Sequence, residues 1–476
     1  MPTLRCARRS STTAGTRSPR PRPISRAPVY RCGPVRLPEL KAVQATRGAG
    51  SARIDGEVLI ERVLELPGGP LLLELASARE DVDLVGGAVR DLLLGRTPLE
   101  LDVVVGEEPD LFARELAASA RLGGRADDAA APRLAQHDRF GTALVEWDGA
   151  RVDVAARRAE SYASPGALPE VRSGTVEEDL ERRDFTVNAI ALALGARRRG
   201  QLRAVEHAFA DLDAGCLRVL HERSFLDDPT RLLRLWRYAA RLRFQPEART
   251  AALAREAVRL RALATVSGSR IGTELRLALR EPDPLASLLA LQQGGVLAAI
   301  HPSLRLAVPE RSVHAALRLL PPDGDRVVLL LACVLLSTGD GEARELLGKL
   351  DFTAATRERV CDTVRLAPEL PVRLQAAARP SELAAAARGA PPEALSLAGA
   401  LGEERGLDSA AEAARRWLGE LRNVRLKITG DDLLDAGLAA GPDIGRRLQT
   451  VLEMRLDGTV GDSADAQLEA ALRASS

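Results

Sequence analysis

The sequence predicts an α+β protein: a small sheet-bearing head followed by helices to the end of the chain. Two observations carry this. Short apolar runs of strand length, punctuated by glycine-bearing turns, are confined to residues 81–195. From about residue 205 onward Leu, Ala and Arg recur at helical spacing with few β-branched runs, and prolines near 302, 321–322, 371, 380 and 391–392 break the pattern into packed helices. Taken in order, residues 52–80 read as a helical lead-in through Val58, Leu59, Val63 and Leu64. Asp81–Val85 and Leu99–Val105 read as strands and Pro109–Ala120 as a helix. Thr142–Trp147 and Arg151–Ala155 read as a hairpin turning at Asp148-Gly149, a favoured two-residue loop. Residues 425–458 contain Gly-Pro-Asp-Ile-Gly (441–445), a turn feeding a closing helix.

Residues 1–50 differ from the rest. They are rich in Arg, Ser, Pro and Thr, with Glu39 as their single acid. Such a segment buries little apolar surface and is expected to be a disordered tail. Its composition is also that of an organellar transit peptide, so a dispensable extension and a targeting segment both stand.

With 476 residues the chain can hold two to four domains. Its net charge of +1 provides no global field for nucleic acid, so any such binding must use local basic clusters. Aromatics at 3% leave few stacking platforms, against a single-strand binder built on aromatic faces. The five cysteines (6, 32, 216, 333, 361) lie far apart, without zinc-ligand spacing or a disulfide framework; a reducing, cytoplasmic setting is expected. The longest apolar run, Val327–Leu336, is too short to span a bilayer and reads as a buried helix, so no membrane partner is expected.

Three motifs carry chemistry. In the first, an apolar strand enters Gly86-Gly87, a short helix bearing Arg90 follows, and then comes Glu100-Leu101-Asp102. Glycines let backbone N–H groups approach phosphate oxygens, and carboxylates at i and i+2 of a strand share a face. Asp153, on the second strand of the hairpin, can face the same cleft. Two or three carboxylates on neighbouring strands suit divalent ions beside a nucleoside triphosphate; taken singly they would be solvated acids on an edge strand. In the second, Arg182-Arg183-Asp184-Phe185-Thr186-Val187-Asn188, Arg183 suits phosphate, and Asp184 or Asn188 suits a ribose hydroxyl; equally, Asp184 could cap a helix start.

The third motif runs from Leu226 to Tyr238. Pro229 suits a first helical position with Asp228 as N-cap, and Arg231, Arg234 and Arg237 recur along one face. Cytosine and adenine both present an amino donor beside a ring-nitrogen acceptor. An aspartate accepts from the first and an arginine donates to the second, while uracil and guanine present the opposite order. One Asp–Arg pair can thus take C and A and refuse U and G. The alternative is a capped helix with a solvated basic stripe. His137, in the turn before Thr142, reads as structural, Asp211–Arg218 as helix-boundary packing and Arg197–Arg199 as a solvated loop.

At these residues the chain resembles the class II nucleotidyltransferases, the family of bacterial CCA-adding tRNA nucleotidyltransferases and poly(A) polymerases. The matching segments, in family order, are Val85–Asp91, Gly95–Val105, Arg139–Thr142, Arg151–Val171, Asp179–Leu192, Leu217–Phe244, Val266–Leu277 and Ile428–Gly458. The resemblance implies a nucleotidyltransferase head (51–196), a base-recognising neck (197–265), a helical body (266–370) and a tRNA-binding helical tail (371–476). It also implies template-independent transfer of C and A from CTP and ATP to a tRNA 3′ end with Mg²⁺. By motif position Glu100 and Asp102 would bind metal, with Asp153 as third carboxylate. Gly86, Gly87, Arg90 and Arg183 would hold the triphosphate, and Asp228 and Arg231 would read the base with Arg234 and Arg237 in support. Full CCA addition, A-only, CC-only and poly(A) synthesis share these motifs, and a non-catalytic RNA-binding homologue would keep the scaffold. The oligomeric state is not legible. Three departures stand out. Glu100 occupies a place where the family has aspartate, moving the oxygens by roughly one bond length in a site whose geometry tolerates about 0.5 Å. Asp227 stands where the family commonly has glutamate, and the usual glycine before Asp211 is replaced by Ala208-Phe209-Ala210.

Overall fold

In the computed structural model, residues 55–123, 131–137 and 141–474 are described. The expected N-terminal tail and residues 138–140 of the turn before Thr142 lie outside them. Two helices, α1 (Gly56–Leu64) and α2 (Gly69–Ala76), lead into the sheet. Its strands are β1 (Val82–Val85), β2 (Leu101–Val105), β3 (Arg133–His137), β4 (Thr142–Trp147) and β5 (Ala150–Ala156), with β8 (Ile190–Ala193) and β9 (Leu202–Ala204) added later. Between β1 and β2 lies α3 (Gly87–Leu93); between β2 and β3 lies α4 (Pro109–Gly123). The strand order is β3-β4-β5-β2-β1-β8-β9, and β2 with β5 is the parallel pair in an otherwise antiparallel sheet.

Alternation explains which face does what. Leu101, Val103 and Val105 of β2 and Val152 and Val154 of β5 are buried in the main core, which also holds Phe112 and Leu116 of α4. Val104 joins a smaller cluster with Val85, Ala189 and Ala191. Asp102 and Asp153 therefore lie on the face away from the main core. The β4–β5 hairpin turns at Asp148 (φ 41°) and Gly149 (φ 76°), the left-handed pair expected of a two-residue turn.

Several elements extend the sequence reading. A small hairpin, β6 (Arg158–Ser161) with β7 (Glu170–Ser173), follows β5. Then come α5 (Val176–Glu181) and a 3₁₀ turn, Thr186–Asn188. Strand β9 lies beyond residue 196, so the head sheet reaches into the stretch expected to be neck. The stretch expected to be neck is helical through α6 (Ala208–Ala214), α7 (Ser224–Asp227), α8 (Arg231–Leu242) and α9 (Ala248–Arg259). It also contains a two-residue parallel bridge, β10 (Cys216–Leu217) with β11 (Gln245–Pro246). Helix α8 begins two residues later than Pro229 suggests. The amides of Arg231 and Leu232 bond the carbonyls three residues back, at Asp228 and Pro229, which is 3₁₀ rather than α pairing.

From α10 (Gly268–Arg280) and α11 (Pro284–Gln293) onward the described chain is helical. The apolar run expected to be a buried helix is one: Arg326–Leu335, buried from Val328 to Leu335. One core runs from Leu59 to Leu401, while the C-terminal helices form separate clusters around Leu370–Leu456 and around Ile428, Leu433, Val451 and Ala471. Among the described residues no helix is long and apolar enough to cross a membrane, and Cys333 is a buried thiol within that apolar helix.

Candidate active site

The face of β2 and β5 that carries the two aspartates opens on a cleft of about 920 Å³, bounded on its far side by α8 and α10. At the sheet end, the parallel register sets Asp102 directly beside Asp153. Glu100 precedes β2 by one residue, and Glu100, Asp102 and Asp153 each offer a ligand oxygen within 4.8 Å of the other two. Three carboxylates so close disfavour full ionisation. The Asp102 carboxyl is pushed up to about 7, first by burial and then by Glu100 and Asp153, against the opposing pull of Arg183 and Arg90. A hard divalent cation is what an all-oxygen set of this charge accommodates, so the donor chemistry fits Mg²⁺ with Glu100 and Asp102 as ligands.

Gly86 has a positive φ of 69° and ends β1 with its amide bonded to the Ile190 carbonyl. A Cβ there would meet Arg183 Nη1 at 2.6 Å and Asp102 Oδ2 at 3.8 Å. The bare glycine lets an arginine approach the carboxylate. Gly87 is under no such constraint: a Cβ at that position would find only ordinary contact with Arg90. Arg183 Nη2 donates to Asp179 Oδ2 at 2.8 Å, anchoring the guanidinium to α5.

Arg90 lies on the buried floor, 2% exposed. Its Nε donates to Asp91 at 2.8 Å and its Nη1 to Asn188 Oδ1 at 2.6 Å, and the guanidinium sits 5.4 Å from the Tyr238 ring centre. Asn188 in turn donates to Asp184 Oδ1 at 2.9 Å, which also accepts from the Phe185 amide at 2.8 Å. Asp184 Oδ2 lies 2.8 Å from Arg234. Burial alone would raise the Asp184 carboxyl; Arg234, the Asn188 bond and Arg231 outweigh it and hold it below the ordinary carboxylate range. Asp184 and Asn188 thus brace the floor, and Asp184 does not cap a helix: the Thr186–Asn188 turn has no side-chain cap bond.

The arginine stripe of α8 faces inward rather than to solvent. Arg237 is paired with Glu281 at 2.9 Å and Glu274 at 3.3 Å, and Arg234 reaches Glu274 at 3.8 Å. Among the described residues, the buried Nε atoms of Arg183, Arg234 and Arg237 have no hydrogen-bond partner. Unmet donors on cleft-lining guanidinium groups fit an anionic guest such as a phosphate chain.

The base-reading candidates are both held fast. Asp228 Oδ1 accepts from Thr230 Oγ1 (2.6 Å), the Thr230 amide (3.1 Å) and Arg270 Nη2 (2.8 Å). Arg231 donates to Ser224 Oγ at 2.7 Å and to the Arg182 carbonyl at 2.6 Å. Sequence reasoning missed Arg270 and Glu274, which line the cleft from α10; their i, i+4 spacing, continued by Glu281, was the available signal. It also missed Glu160 and Tyr162 on the β6 side. Glu160 accepts from Arg158, Arg182 and the Tyr162 hydroxyl, and the Tyr162 phenol is pushed up to about 12 by burial and then by Glu160. His137, expected to be structural, ends β3 in pairing with Thr142. Asp211 accepts from Arg218 and Thr186 at the helix boundary, the packing role read for it.

The chain is similar to known proteins in both sequence and fold. A family model described as the poly A polymerase head domain matches residues 82–218. The chain is 34% identical over 436 residues to an A-adding tRNA nucleotidyltransferase of Geobacter sulfurreducens, covering 87% of this chain and 48% of that protein. It is 31% identical over 420 residues to a CC-adding tRNA nucleotidyltransferase of the same organism, covering 80% of this chain and 90% of that one. The chain spans about half the length of the first relative, and likewise 49% of an A-adding relative from Halalkalibacterium halodurans. A solved CCA-adding enzyme in an apo form superposes with a TM-score of 0.70 at 30% identity, covering 87% of this chain and 98% of that one. The Thermotoga maritima CCA-adding enzyme complexed with tRNA gives 0.66 at 27% identity, covering 88% and 98%. A CCA-adding enzyme in complex with ATP gives 0.67 at 28%, covering 88% and 98%, and one with CTP 0.66 at 28%, covering 88% and 99%.

Proposed function

The chain belongs to the class II tRNA nucleotidyltransferase and poly(A) polymerase family, and on that premise we propose that it adds C, A or both from CTP and ATP to tRNA 3′ ends without a template. The observation that carries the reading is the abreast pairing of Asp102 with Asp153, with Glu100 beside them, at one end of a cleft floored by arginines. Magnesium held by Glu100 and Asp102 would supply neutralisation of the triphosphate and a lowered pKa for the attacking 3′-hydroxyl.

The remaining work falls to this chain's side chains. Arg183, held beside Gly86, and Arg90 meet the negative charge of the triphosphate as pyrophosphate leaves from the α-phosphorus. Asp228 and Arg231 present an acceptor and a donor to the base; their fixed partners Thr230, Arg270, Ser224 and the Arg182 carbonyl keep them oriented before it arrives. Residues 371–476 receive the tRNA through shape and backbone charge. The division into head, neck, body and tail is part of this proposal, as is a cytoplasmic setting.

Single-nucleotide incorporation decides among the activities. The full chain is incubated with tRNA lacking the last one, two or three nucleotides and with one labelled triphosphate at a time. Addition of both C and A gives CCA synthesis; A alone on a CC end, or C alone, gives a partial enzyme. Runs of A on any end give a poly(A) polymerase. Binding of tRNA with no incorporation in either the natural chain or Glu100→Asp would leave a non-catalytic RNA binder.

A further inference from the structure

Arg151 stands on β5 two residues before Asp153, so its side chain emerges on the same face. Its Nε lies 3.1 Å from Glu100 Oε2 and 3.4 Å from Asp153 Oδ2. The ladder accounts for the first contact. Leu101 pairs with Val152, and one step further along brings Glu100 abreast of Arg151. On the other side β4 sets Glu146 opposite Arg151, and Glu146 lies 3.5 Å from Arg133. Arg151, Glu100 and Asp153 have side chains 46%, 43% and 37% exposed, so the ion pairs are at the cleft mouth and the guanidinium can leave into water.

Two of the three acids that could hold a divalent ion are thus already in contact with a cation of the protein's own. Arg151 makes no such ion pair with the third, Asp102, among the described residues. A fixed positive charge lessens the mutual repulsion of three carboxylates and competes with any ion that needs the same oxygens. The longer side chain at Glu100 extends its carboxylate one bond nearer its cross-strand neighbour than an aspartate would.

We propose that Arg151 is the resident counter-ion of the acid trio, a positioning residue that holds Glu100 and Asp153 together and sets the divalent affinity by giving way when metal enters. This rests on reading the trio as a metal site. The probe is Mn²⁺ alone, titrated into the full chain without nucleotide or RNA and followed by the loss of the free-ion electron paramagnetic resonance signal. Arg151→Gln should bind Mn²⁺ about fivefold more tightly, the scale of a part-exposed ion pair. Arg151→Lys should return the parent value. Arg133→Gln, which removes the same charge two strands away, should leave it alone. In a Glu100→Asp background the gain from Arg151→Gln should shrink, since the two residues act as a pair. Arg151→Met, which keeps the apolar stem, gives the same readout should the Gln variant fold poorly.

Equal or weaker Mn²⁺ binding by both Arg151 variants, with the circular dichroism spectrum unchanged, overturns the proposal while leaving the metal site intact. Failure of every protein, parent included, to bind Mn²⁺ overturns the metal-site reading and this proposal with it.

Discussion

The two ends of the cleft handle charge in opposite ways. At the sheet end Glu100, Asp102 and Asp153 crowd like charges together, and among the described residues only Arg151, at the mouth, offsets them through direct ion pairs. At the helical end Arg90, Arg231, Arg234 and Arg237 are matched to Asp91, Asp184, Glu274, Glu281, Ser224 and a carbonyl. A cluster of like charges is poised to act on what enters; the paired arginines hold the wall in shape while the Nε donors of Arg234 and Arg237 stay open to an anionic guest. Substitutions at the first should therefore remove activity and spare the fold, whereas at the second the buried ion pairs of Arg237 should cost stability before rate.

The sharpest test is Asp102→Asn. Nucleotide incorporation should fall about 10³-fold, the scale of losing one preorganised electrostatic group, with no loss of thermal stability because a repulsive charge has gone. A variant that lost both together would break the contrast. Next is Arg237→Ala, which strands Glu281 and Glu274. Denaturant unfolding should show a loss of about 3 kcal/mol, while the rate at low temperature stays closer to the parent than for Asp102→Asn. Gly86→Ala lies between the two ends. Its positive φ and the 2.6 Å approach to Arg183 Nη1 predict a cost of about 1–3 kcal/mol together with weaker triphosphate binding, read as a raised KM.

Arg270→Ala frees Asp228 without touching the acids. Preference for C and A over U and G should drop about tenfold, measured as ratios of kcat/KM, with the metal requirement unchanged. The smallest effect is away from the cleft. Burial would raise the Asp81 carboxyl, but Arg79 and the Glu107 amide outweigh it and hold it at about 2. A depressed carboxyl stabilises the fold above its unfolded value near 4, and that contribution fades as pH falls toward 2. Asp81→Asn should cost under about 1 kcal/mol at pH 7, with the difference from the parent vanishing in melts run between pH 4 and pH 2.

The sequence carried the acid end further than the arginine end. Glu100-x-Asp102 on a strand, and a hairpin turned by Asp148-Gly149, are local patterns whose geometry follows from the pleat and the turn. Their meeting was not local: the parallel register between β2 and β5 is a tertiary fact. So were the partners of α8. Nothing in the spacing of Arg231, Arg234 and Arg237 distinguishes a solvated stripe from one held by Ser224, Asp184, Glu274 and Glu281, because the deciding partners lie on other elements. Two of the strands missed lack alternation. Ile190-Ala-Leu-Ala of β8 is apolar throughout and shares that with a buried helix, and Glu170-Val-Arg-Ser of β7 is exposed throughout. The Gly86 requirement was legible as a turn, but its reason, room for Arg183 beside Asp102, was not.

The side-by-side seating of Asp102 and Asp153 has a bearing on how such a chain can drift over generations. The connection between them runs out through α4 and back along β3 and β4, yet the seating is fixed by rungs between β2 and β5 and not by the length of that excursion. Residues gained or lost outside the strands of that detour break none of the rungs between β2 and β5. A slip of β5 by one rung, by contrast, would swing Asp153 into the oily side and seat a valine in its place. The chemistry is thereby insulated from change in the chain that links its halves and exposed to change in a handful of backbone bonds.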